Sequence, residues 1–307
     1  MPSKQSEKGM VFKMIDLHMH TLYSDGTNTC KEILKKAQEK NLTYISITDH
    51  NNCKVYEDLK NPEIRKIFKG KILRGIELNT KILGIPIEIL GYNIDTDFMN
   101  SNLHKLYISN QERNLIELKE IYKICIENNI DVGENFIENY DSNMYASKYL
   151  HNIITKSKKN KKLIDEESWN DSNIFYRKYM SNPSTLFYVN TGDVIPTFEN
   201  ASKIVRDAGG LVFIPHIFEY RENSNKILEY ILNNYKIDGI ECYYTTFSKE
   251  QSSFLVDLCQ KKHLFMSGGS DYHGDFKPKV DIAVGFGDLK VEEEKTINEW
   301  KEKVEFI

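Results

Sequence analysis

The stretch MIDLHMHTLYSDGT, residues 14–27, places two histidines one residue apart at the end of an apolar run, with an aspartate five residues after the second. The surrounding run FKMIDLHMH is typical of a β-strand. Side chains at positions i and i+2 of a strand point to the same face, so His18 and His20 can bind one ion together. Only eight of the 307 residues are histidines, and this pair predicts a metal site at the end of the first strand.

Composition and charge fit a globular protein and limit its partners. Hydrophobic residues make up 40% of the chain, charged residues 28%, and the net charge is −4, the balance of an ordinary folded domain. This balance argues against a basic surface that coats nucleic acid, while it leaves room for a local phosphate pocket. The N-terminus has no apolar signal segment, and no stretch approaches ~18 continuous apolar residues. We therefore expect no membrane partner.

The cysteines indicate a reducing compartment. Their number is odd and they are scattered without close pairing, which favours free thiols and a cytoplasmic location. They are Cys30, Cys53, Cys125, Cys242 and Cys259.

Alternating strand and helix patterns extend outward from the opening stretch. Thr29 and Glu32 can form a capping box for a helix that ends near Asn41. Apolar runs over 70–80 and 84–95 predict two strands joined by a short turn. The β-α pattern resumes after the middle of the chain and predicts parallel strands covered by helices, in a barrel or a doubly wound sheet.

The middle of the chain has a different character. A long helix is predicted over 98–128 from its apolar spacing, and residues 130–189 are polar and weakly periodic. We expect a barrel formed by residues 12–129 and 190–290, an inserted, mainly helical lid or substrate subdomain at 130–189, and a C-terminal helix at 291–307.

Candidate ligands stand at or just after the predicted strand ends. Each one alone has an ordinary explanation, as Asp25 before Gly26 is a common turn pair. Parallel strands deliver their carboxyl ends to one face, so these side chains should converge. More imidazoles and carboxylates than one ion needs imply two or three ions, usually for hydrolysis. The candidates are His18, His20, Asp25, His50, Glu77, His216, Asp271 and His273.

These motifs, in this order, resemble the PHP (polymerase and histidinol phosphatase) family. The matching segments are DLHMHTLYSDGT, SITDHNN, GIELNT, the histidine after LVFIP, and GSDYHG. The resemblance is closest to the stand-alone bacterial phosphoesterases, which dephosphorylate nucleotides such as AMP and 3′,5′-bisphosphonucleotides, and some of which trim RNA 5′ ends. It implies an α/β fold, a distorted (β/α)7 barrel, and a centre of three metal ions.

The resemblance also implies roles for individual residues. The first ion would be held by His18, His20, Glu77 and Asp271; Glu77 would bridge to a second ion, also bound by His216; and Asp25, His50 and His273 would hold the third. It implies Asp271, His216 and Glu77 as the catalytic residues. Asp49 lies outside the ligand pattern and is expected to orient a neighbouring ligand.

Three positions depart from the family pattern. Glu88 in IEILGY stands where the family usually has a histidine, which makes the second site more acidic. His216 lies in Pro-His-Ile, where Ala-His-Pro is usual. The segment SNMYA, residues 142–146, lacks the Arg and His of the family's R-x-H-x-A pattern.

Two basic features are candidate substrate contacts. Arg113 in NQERN aligns roughly with a family arginine and could clamp phosphate, although a solvated helix arginine explains it equally well. The run TKSKKNKKL, residues 155–163, could favour an oligonucleotide tail, but a solvated lysine run is the better interpretation.

The sequence thus predicts a metal-dependent phosphatase or phosphoesterase that hydrolyses a small phosphorylated substrate, with nucleotides as the expected class, by attack of a metal-activated hydroxide. A 5′→3′ exoribonuclease acting on short RNA and a non-catalytic, regulatory metal-binding domain are the alternatives, and histidinol phosphate is a weaker substrate candidate. The expected ions are Mn²⁺, Fe²⁺ or Zn²⁺, with Mg²⁺ also compatible. Glu88 favours the harder Mn²⁺ or Mg²⁺ over Zn²⁺.

Overall fold

The computed structural model describes residues 13–189 and 195–307. In this part of the chain seven strands form one sheet. They are β1 Ile15–Asp16, β2 Tyr44–Ile47, β3 Lys71–Ile82, β4 Ile85–Tyr92, β5 Leu211–Ile214, β6 Gly239–Tyr244 and β7 Phe265–Gly269.

The sheet is a nearly closed barrel. Its strands follow chain order from β1 to β7, and Leu17 N donates to Gly268 O at 3.1 Å, which brings the first strand beside the last. Neighbouring strands are parallel except at β4, which runs antiparallel to both β3 and β5. The predicted α/β class and distorted seven-stranded barrel are confirmed.

The turn between β3 and β4 follows from its sequence. Leu83 and Gly84 have φ of 52° and 76°, the left-handed pair that a tight two-residue hairpin requires. The predicted turn is therefore confirmed. Because β4 returns antiparallel, its early residues lie at the same edge as the carboxyl ends of the parallel strands.

Helices cover the strands and build the middle of the chain. They are α1 Cys30–Glu39, α2 Val55–Leu59, α3 Pro62–Arg65, α4 Thr96–Asn102, α5 Asn110–Glu127, α6 Ala146–Ile154, α7 Glu166–Asn170, α8 Ser172–Phe175, α9 Phe198–Asp207, α10 Ser224–Asn234 and α11 Lys249–Lys262, with a π-helical turn at Tyr176–Met180. Among the helices of the described ranges, none combines the length and apolar character needed to cross a membrane.

Helix α1 begins as predicted. Thr29 N donates to Glu32 Oε2 at 2.7 Å, and Glu32 N donates to Thr29 Oγ1 at 3.3 Å, which completes the capping box. Ile33 and Leu34 are fully buried on its inner face.

The single helix predicted over 98–128 is wrong, because two helices occupy this range. Ser109 starts α5 with its own capping box, in which Glu112 N donates to Ser109 Oγ at 3.2 Å. A 3₁₀ turn at Leu103–Lys105 follows α4. The two helices belong to different compact units, and Leu115, one of the apolar positions in the predicted range, is 37% exposed.

The chain divides into two compact units. Among the described residues, the barrel unit comprises those up to Leu106 together with Pro196–Ile307, and the helical unit comprises those within Tyr107–Ile195. The helical unit therefore includes α5, which we had expected to belong to the barrel. Two expected boundaries lie outside the described residues. They are the end of the insertion at 189/190, next to residues 190–194, and the start of the barrel at residue 12.

The helical unit has a hydrophobic core of its own. Its fully buried side chains include Leu118, Cys125, Leu150 and Phe175. Every described residue of this core lies in the helical unit, so the insertion folds around apolar side chains of its own.

The C-terminal segment contains short 3₁₀ turns in place of the helix predicted at 291–307. The turns are Glu293–Lys295, Ile297–Glu299 and Lys301–Lys303. Trp300 is fully buried and its Nε1 donates to Met266 O at 3.1 Å. Ile307 N donates to Ile72 O at 3.0 Å. These contacts with the barrel strands determine the conformation of the segment, which therefore does not form the regular helix that its sequence predicts.

Candidate metal centre

The first candidate ligands follow β1 and β7 at the same level of the barrel. An isolated parallel bridge pairs Met19 with Tyr272. His18 and His20 flank Met19, so they lie beside Asp271, which precedes Tyr272. The local backbone pairing therefore brings residues that are about 250 positions apart to one edge of the barrel.

Strands β2, β3 and β4 supply three further side chains. His50, just after β2, forms an isolated parallel bridge with Glu77 on the longer β3. Asn79 pairs with Glu88 across the β3–β4 hairpin, which puts Glu88 diagonal to Glu77. The antiparallel return of β4 thus carries Glu88 to the edge where the parallel strands end.

His216 and Asp271 have positive φ angles, a backbone conformation that residues other than glycine rarely adopt. Each lies two residues beyond its strand, and their φ angles are 23° and 55°. His216 N donates to Glu241 Oε2 at 2.8 Å, and Asp271 N donates to His18 O at 2.8 Å. Such strained positions concentrate at functional sites, where surrounding contacts hold them.

Two imidazoles face the same pair of carboxylates. His18 Nε2 lies 3.1 Å from Glu77 Oε2 and 3.5 Å from Asp271 Oδ1, and His20 Nε2 lies 3.2 Å from each of these oxygens. One ligand atom from each of the four residues lies within 4.8 Å of the others. This group can hold one metal ion.

A second group surrounds Asp25. Its Oδ1 lies 3.2 Å from His273 Nε2 and 3.6 Å from His20 Nδ1, and its Oδ2 lies 3.6 Å from His50 Nε2. The rings of His20 and His273 stack with centroids 4.1 Å apart. The structure therefore adds His20 to the predicted set of Asp25, His50 and His273. His20 belongs to this group and to the group formed with His18, Glu77 and Asp271.

A third group includes Glu88. His50, Glu77 and Glu88 have ligand atoms within 4.8 Å of one another. His216 contacts the same carboxylates, with its Nε2 2.8 Å from Glu77 Oε1 and 3.3 Å from Glu88 Oε2. The Glu88 side chain is 26% exposed, against 1% for Glu77, so this group is the more open one.

The donor atoms fit divalent metal ions. Within the described residues, His20 Nε2, Asp25 Oδ1 and His50 Nδ1 face the cluster, are buried and form no hydrogen bond. A buried polar atom without a partner costs about 1–3 kcal/mol, so the cluster calls for a bound cation. Imidazole nitrogen with carboxylate oxygen suits Mn²⁺, Fe²⁺ and Zn²⁺.

The pKa values of the cluster reflect its buried charges. Burial alone would raise the pKa of Glu77, but the neighbouring imidazoles of His18 and His50 outweigh it and hold the pKa well below its usual range. Burial lowers the pKa of His20, yet the carboxylates of Asp271 and Glu77 raise it to about 10. Burial and the nearby Glu77 raise the pKa of Glu88.

Glu241 is a functional candidate that the sequence analysis missed. It is fully buried on β6, where its Oε1 accepts a hydrogen bond from His18 Nδ1 at 3.0 Å and its Oε2 accepts one from His216 N at 2.8 Å. A carboxylate on Nδ1 leaves Nε2 free to bind an ion. The glutamate in the otherwise apolar strand GIECYY was the available signal.

A β-bulge lets β6 present a second side chain to the site. The register of β6 against β7 shifts between Glu241 and Tyr243, and such a shift turns later side chains to the other face. Glu241 and Tyr244, three residues apart, consequently both reach the cluster. Tyr244 OH donates to Asp271 Oδ2 at 2.7 Å.

Two buried aspartates hold the loops that carry candidate ligands. Asp49 accepts hydrogen bonds from Thr21 N and Ser24 Oγ, both at 2.7 Å, and thereby fixes the loop that leads to Asp25. Asp16 accepts from Ser270 N at 3.0 Å next to Asp271. The orienting position expected for Asp49 matches these contacts, whereas Asp16 was not expected.

The structure brings the nine candidate ligands together at one edge of the barrel unit. Arg113, the candidate phosphate clamp, belongs to the helical unit. It lies on α5 near Glu117, whose pKa is raised by burial, with the charge of Arg113 opposing the rise in part.

Solved structures share this fold. A Bifidobacterium adolescentis protein assigned to the metal-dependent phosphoesterases superposes with a TM-score of 0.66 at 17% identity, and the match covers 92% of this chain and 94% of that one. This likeness supports the barrel architecture.

Curated relatives cover most of this chain. A 5′-3′ exoribonuclease of Haemophilus influenzae is 24% identical over 85% of this chain and 90% of its own length. A phosphoribosyl 1,2-cyclic phosphate 1,2-diphosphodiesterase of Eggerthella lenta is 20% identical, over 85% and 94%. A 3′,5′-nucleoside bisphosphate phosphatase of Chromobacterium violaceum is 22% identical, over 87% and 90%.

The barrel and its cluster of imidazoles and carboxylates define a class of metal-dependent phosphoester hydrolases. The sequence model of the PHP domain matches residues 16–173, half of the chain. The chain therefore belongs to the PHP domain family, and the predictions of this family and of a phosphoester hydrolase are confirmed.

Proposed function

We propose that this protein hydrolyses phosphate monoesters of nucleotides, such as AMP or 3′,5′-bisphosphonucleotides, with divalent metal ions as cofactors. The observation that carries the proposal is the convergence of nine imidazole and carboxylate side chains at one barrel edge. The nucleotide class is supported by the curated activity of the Chromobacterium violaceum relative.

The charge of the cluster supports three ions. Asp25, Glu77, Glu88 and Asp271 carry four negative charges among the candidate ligands. Three divalent ions would leave an excess of two positive charges, which matches a phosphate monoester of about −2 at neutral pH. Two ions would only neutralise the carboxylates and leave no net attraction for the substrate.

Glu77 is proposed as the bridging ligand. Its Oε2 lies 3.1 Å from His18 Nε2, while its Oε1 lies 2.8 Å from His216 Nε2. The two oxygens thus face different imidazoles, as a carboxylate shared by two ions must. We assign His18, His20, Glu77 and Asp271 to the first ion, Glu77, Glu88 and His216 to the second, and Asp25, His50 and His273 to the third.

The catalytic roles follow from these contacts. When bound, the ions supply charge neutralisation at the phosphoryl group and a water molecule of lowered pKa. Asp271 contributes Oδ1 to the first group while Tyr244 holds Oδ2. His216 lies beside both Glu77 and Glu88. The burial of these side chains excludes bulk water and strengthens the electrostatic interactions at the reacting phosphate.

A 5′→3′ exoribonuclease on short RNA is the second candidate. The Haemophilus influenzae relative has this activity. In the helical unit, exposed lysines of the run 155–163 could contact an RNA backbone. They are Lys156, Lys158, Lys159, Lys161 and Lys162.

The helical unit is proposed to serve as the lid or substrate subdomain. Arg113 is the proposed phosphate contact there. Arg113→Met should raise KM for nucleotides with little effect on stability, and Lys119→Met on the exposed side of the same helix is the control. Equal KM values in the two variants would remove Arg113 from the substrate site.

The cytoplasm is the proposed compartment. All five cysteines are free thiols and all are buried, which is typical of proteins kept in reducing surroundings.

A substrate panel tests the proposed function. Protein loaded with Mn²⁺, Fe²⁺, Zn²⁺ or Mg²⁺ is incubated with nucleoside monophosphates, 3′,5′-bisphosphonucleotides, histidinol phosphate and short 5′-phosphorylated RNAs, and released phosphate and nucleotides are measured. Phosphate release from nucleotides is the expected result. Stepwise nucleotide release from RNA would favour the exoribonuclease, and no release with any ion would favour a regulatory domain.

Asp271→Asn ties the activity to the cluster. Loss of one anionic ligand should depopulate an ion and abolish turnover, while the circular dichroism spectrum stays that of the folded protein. Asp275→Asn, at an exposed position four residues on, is the matched control. Near-full turnover in Asp271→Asn would show that catalysis occurs elsewhere.

A further inference from the structure

Lys277 contacts a candidate ligand from the solvent side. The 3₁₀ turn Gly274–Phe276 follows Asp271, Lys277 N donates to Gly274 O at 3.1 Å, and Val280 N donates to Lys277 O at 2.9 Å. The backbone of Lys277 is therefore held, and its Nζ donates to Asp271 Oδ2. The Lys277 side chain is 31% exposed, against 7% for that of Asp271.

The contact with Lys277 is not the only bond that holds Asp271. Tyr244 OH donates to the same Oδ2 at 2.7 Å, and Asp271 N donates to His18 O at 2.8 Å. If the ammonium turned away, Oδ2 would keep a hydrogen bond and the carboxylate would keep its position. Lys277 is thus free to exchange partners at little cost to the ligand group.

A cation bound in the first ligand group would neutralise the charge of Asp271, which Lys277 neutralises in its absence. The other oxygen, Oδ1, lies 3.2 Å from His20 Nε2 and 3.5 Å from His18 Nε2, within the first ligand group. With an ion in that group, the charge of Asp271 is compensated. The positive charge of Lys277 then remains available for an anion that approaches from solvent.

We propose that Lys277 binds the phosphate group of the substrate, exchanging Asp271 Oδ2 for a phosphate oxygen when a phosphate monoester enters the metal-loaded site. This inference rests on the proposed function. A lysine ammonium is a compact charge with three donors on a flexible stem, which suits a phosphate oxygen that arrives beside a fixed carboxylate.

Calorimetry with inorganic phosphate tests the proposal without turnover. Mn²⁺-loaded wild type, Lys277→Met and Lys279→Met are titrated with phosphate. Lys279 is an exposed lysine two residues away, so its variant makes the same charge change outside the contact. We expect Lys277→Met to bind phosphate about tenfold more weakly or worse, the loss of one charge-assisted hydrogen bond, and Lys279→Met to match wild type.

Mn²⁺ titrations separate phosphate binding from a merely structural role. Lys277→Met and Lys277→Gln should bind Mn²⁺ at least as tightly as wild type does, because they remove a positive charge that competes for Asp271. Tyr244→Phe, which removes the other bond to Oδ2, should bind Mn²⁺ more weakly. Weaker Mn²⁺ binding in the Lys277 variants with unchanged phosphate affinity at saturating Mn²⁺ would overturn the proposal. Equal phosphate affinity in Lys277→Met and Lys279→Met would overturn it as well.

Kinetics link the subsite to the reaction. Lys277→Met should raise KM for the phosphate monoester more than it lowers kcat, and Lys277→Arg should restore part of the loss because it keeps the charge. If the substrate panel showed no hydrolysis while phosphate binding still depended on Lys277, the proposed function would fail and the anion subsite would stand.

Discussion

Replacing Glu241 by glutamine is the sharpest test of how the cluster is held. The substitution keeps the size of the side chain and converts one of its two acceptors into a donor. In the structure these acceptors serve His18 Nδ1 at 3.0 Å and His216 N at 2.8 Å. The backbone amide of His216 cannot give up its proton, so we expect the glutamine carbonyl to face His216 and its NH₂ group to face His18.

The substitution should change the protonation of His18 Nε2, the nitrogen that faces the candidate ligand Glu77. With an NH₂ donor opposite, Nδ1 must accept, and the proton moves to Nε2, which lies 3.1 Å from Glu77 Oε2. A protonated Nε2 cannot bind an ion. Loss of the outer partner of a metal-binding histidine typically weakens metal affinity about 10–100-fold, which corresponds to about 1.4–2.8 kcal/mol.

Two measurements check this prediction. Mn²⁺ calorimetry on wild type, Glu241→Gln and the exposed control Glu250→Gln gives the affinities, and ¹⁵N NMR of the imidazoles in protein loaded with diamagnetic Zn²⁺ gives the His18 tautomer. We expect weaker Mn²⁺ binding and an Nε2-protonated His18 only in Glu241→Gln. An affinity within about twofold of wild type, with Nδ1 still protonated, would refute the reasoning.

Three further predictions concern metals and stability. Mn²⁺ at 100 times its Kd should raise the free energy of unfolding by about 2.7 kcal/mol per site, and a melting temperature that responds neither to Mn²⁺ nor to EDTA would contradict a metal site. Glu88→His should shift the activating ion from Mn²⁺ or Mg²⁺ toward Zn²⁺ or Fe²⁺ and lower KM for anionic substrates. Identical metal-dependence curves for wild type and Glu88→His would contradict this prediction. Trp300→Ala removes a fully buried indole and should cost about 3–5 kcal/mol in urea unfolding, against little change in the exposed control Glu302→Ala.

The candidate ligands could be predicted from sequence because most of them lie in short, local patterns. His18 and His20 alternate on an extended segment, and Asp271 and His273 flank a single residue. Their convergence follows from parallel strands, a rule that needs no knowledge of distant contacts. The antiparallel return of β4 was also accessible through the turn before it.

The features that were missed depend on contacts between distant parts of the chain. Glu241 contributes to the cluster because its carboxylate accepts a hydrogen bond from His18, which is more than 220 positions away in the chain. Tyr244 points to the same side because of the β-bulge in β6. The C-terminal segment lacks its predicted helix because barrel contacts at Trp300 override helical periodicity. The break before α5 was visible in the Ser109–Glu112 pair, but the apolar spacing across it masked the signal.

The β3–β4 hairpin has a consequence for how such enzymes diverge. Glu88 stands on an extended strand whose backbone is fixed by ladder hydrogen bonds to β3, so its side chain can change without altering the path of the chain. His216 and Asp271 instead sit at positive φ, where an exchange of residue disturbs the backbone itself. Evolution can therefore change the residue at position 88 by single substitutions, while the candidate ligands beyond β5 and β7 are expected to stay constant among related enzymes.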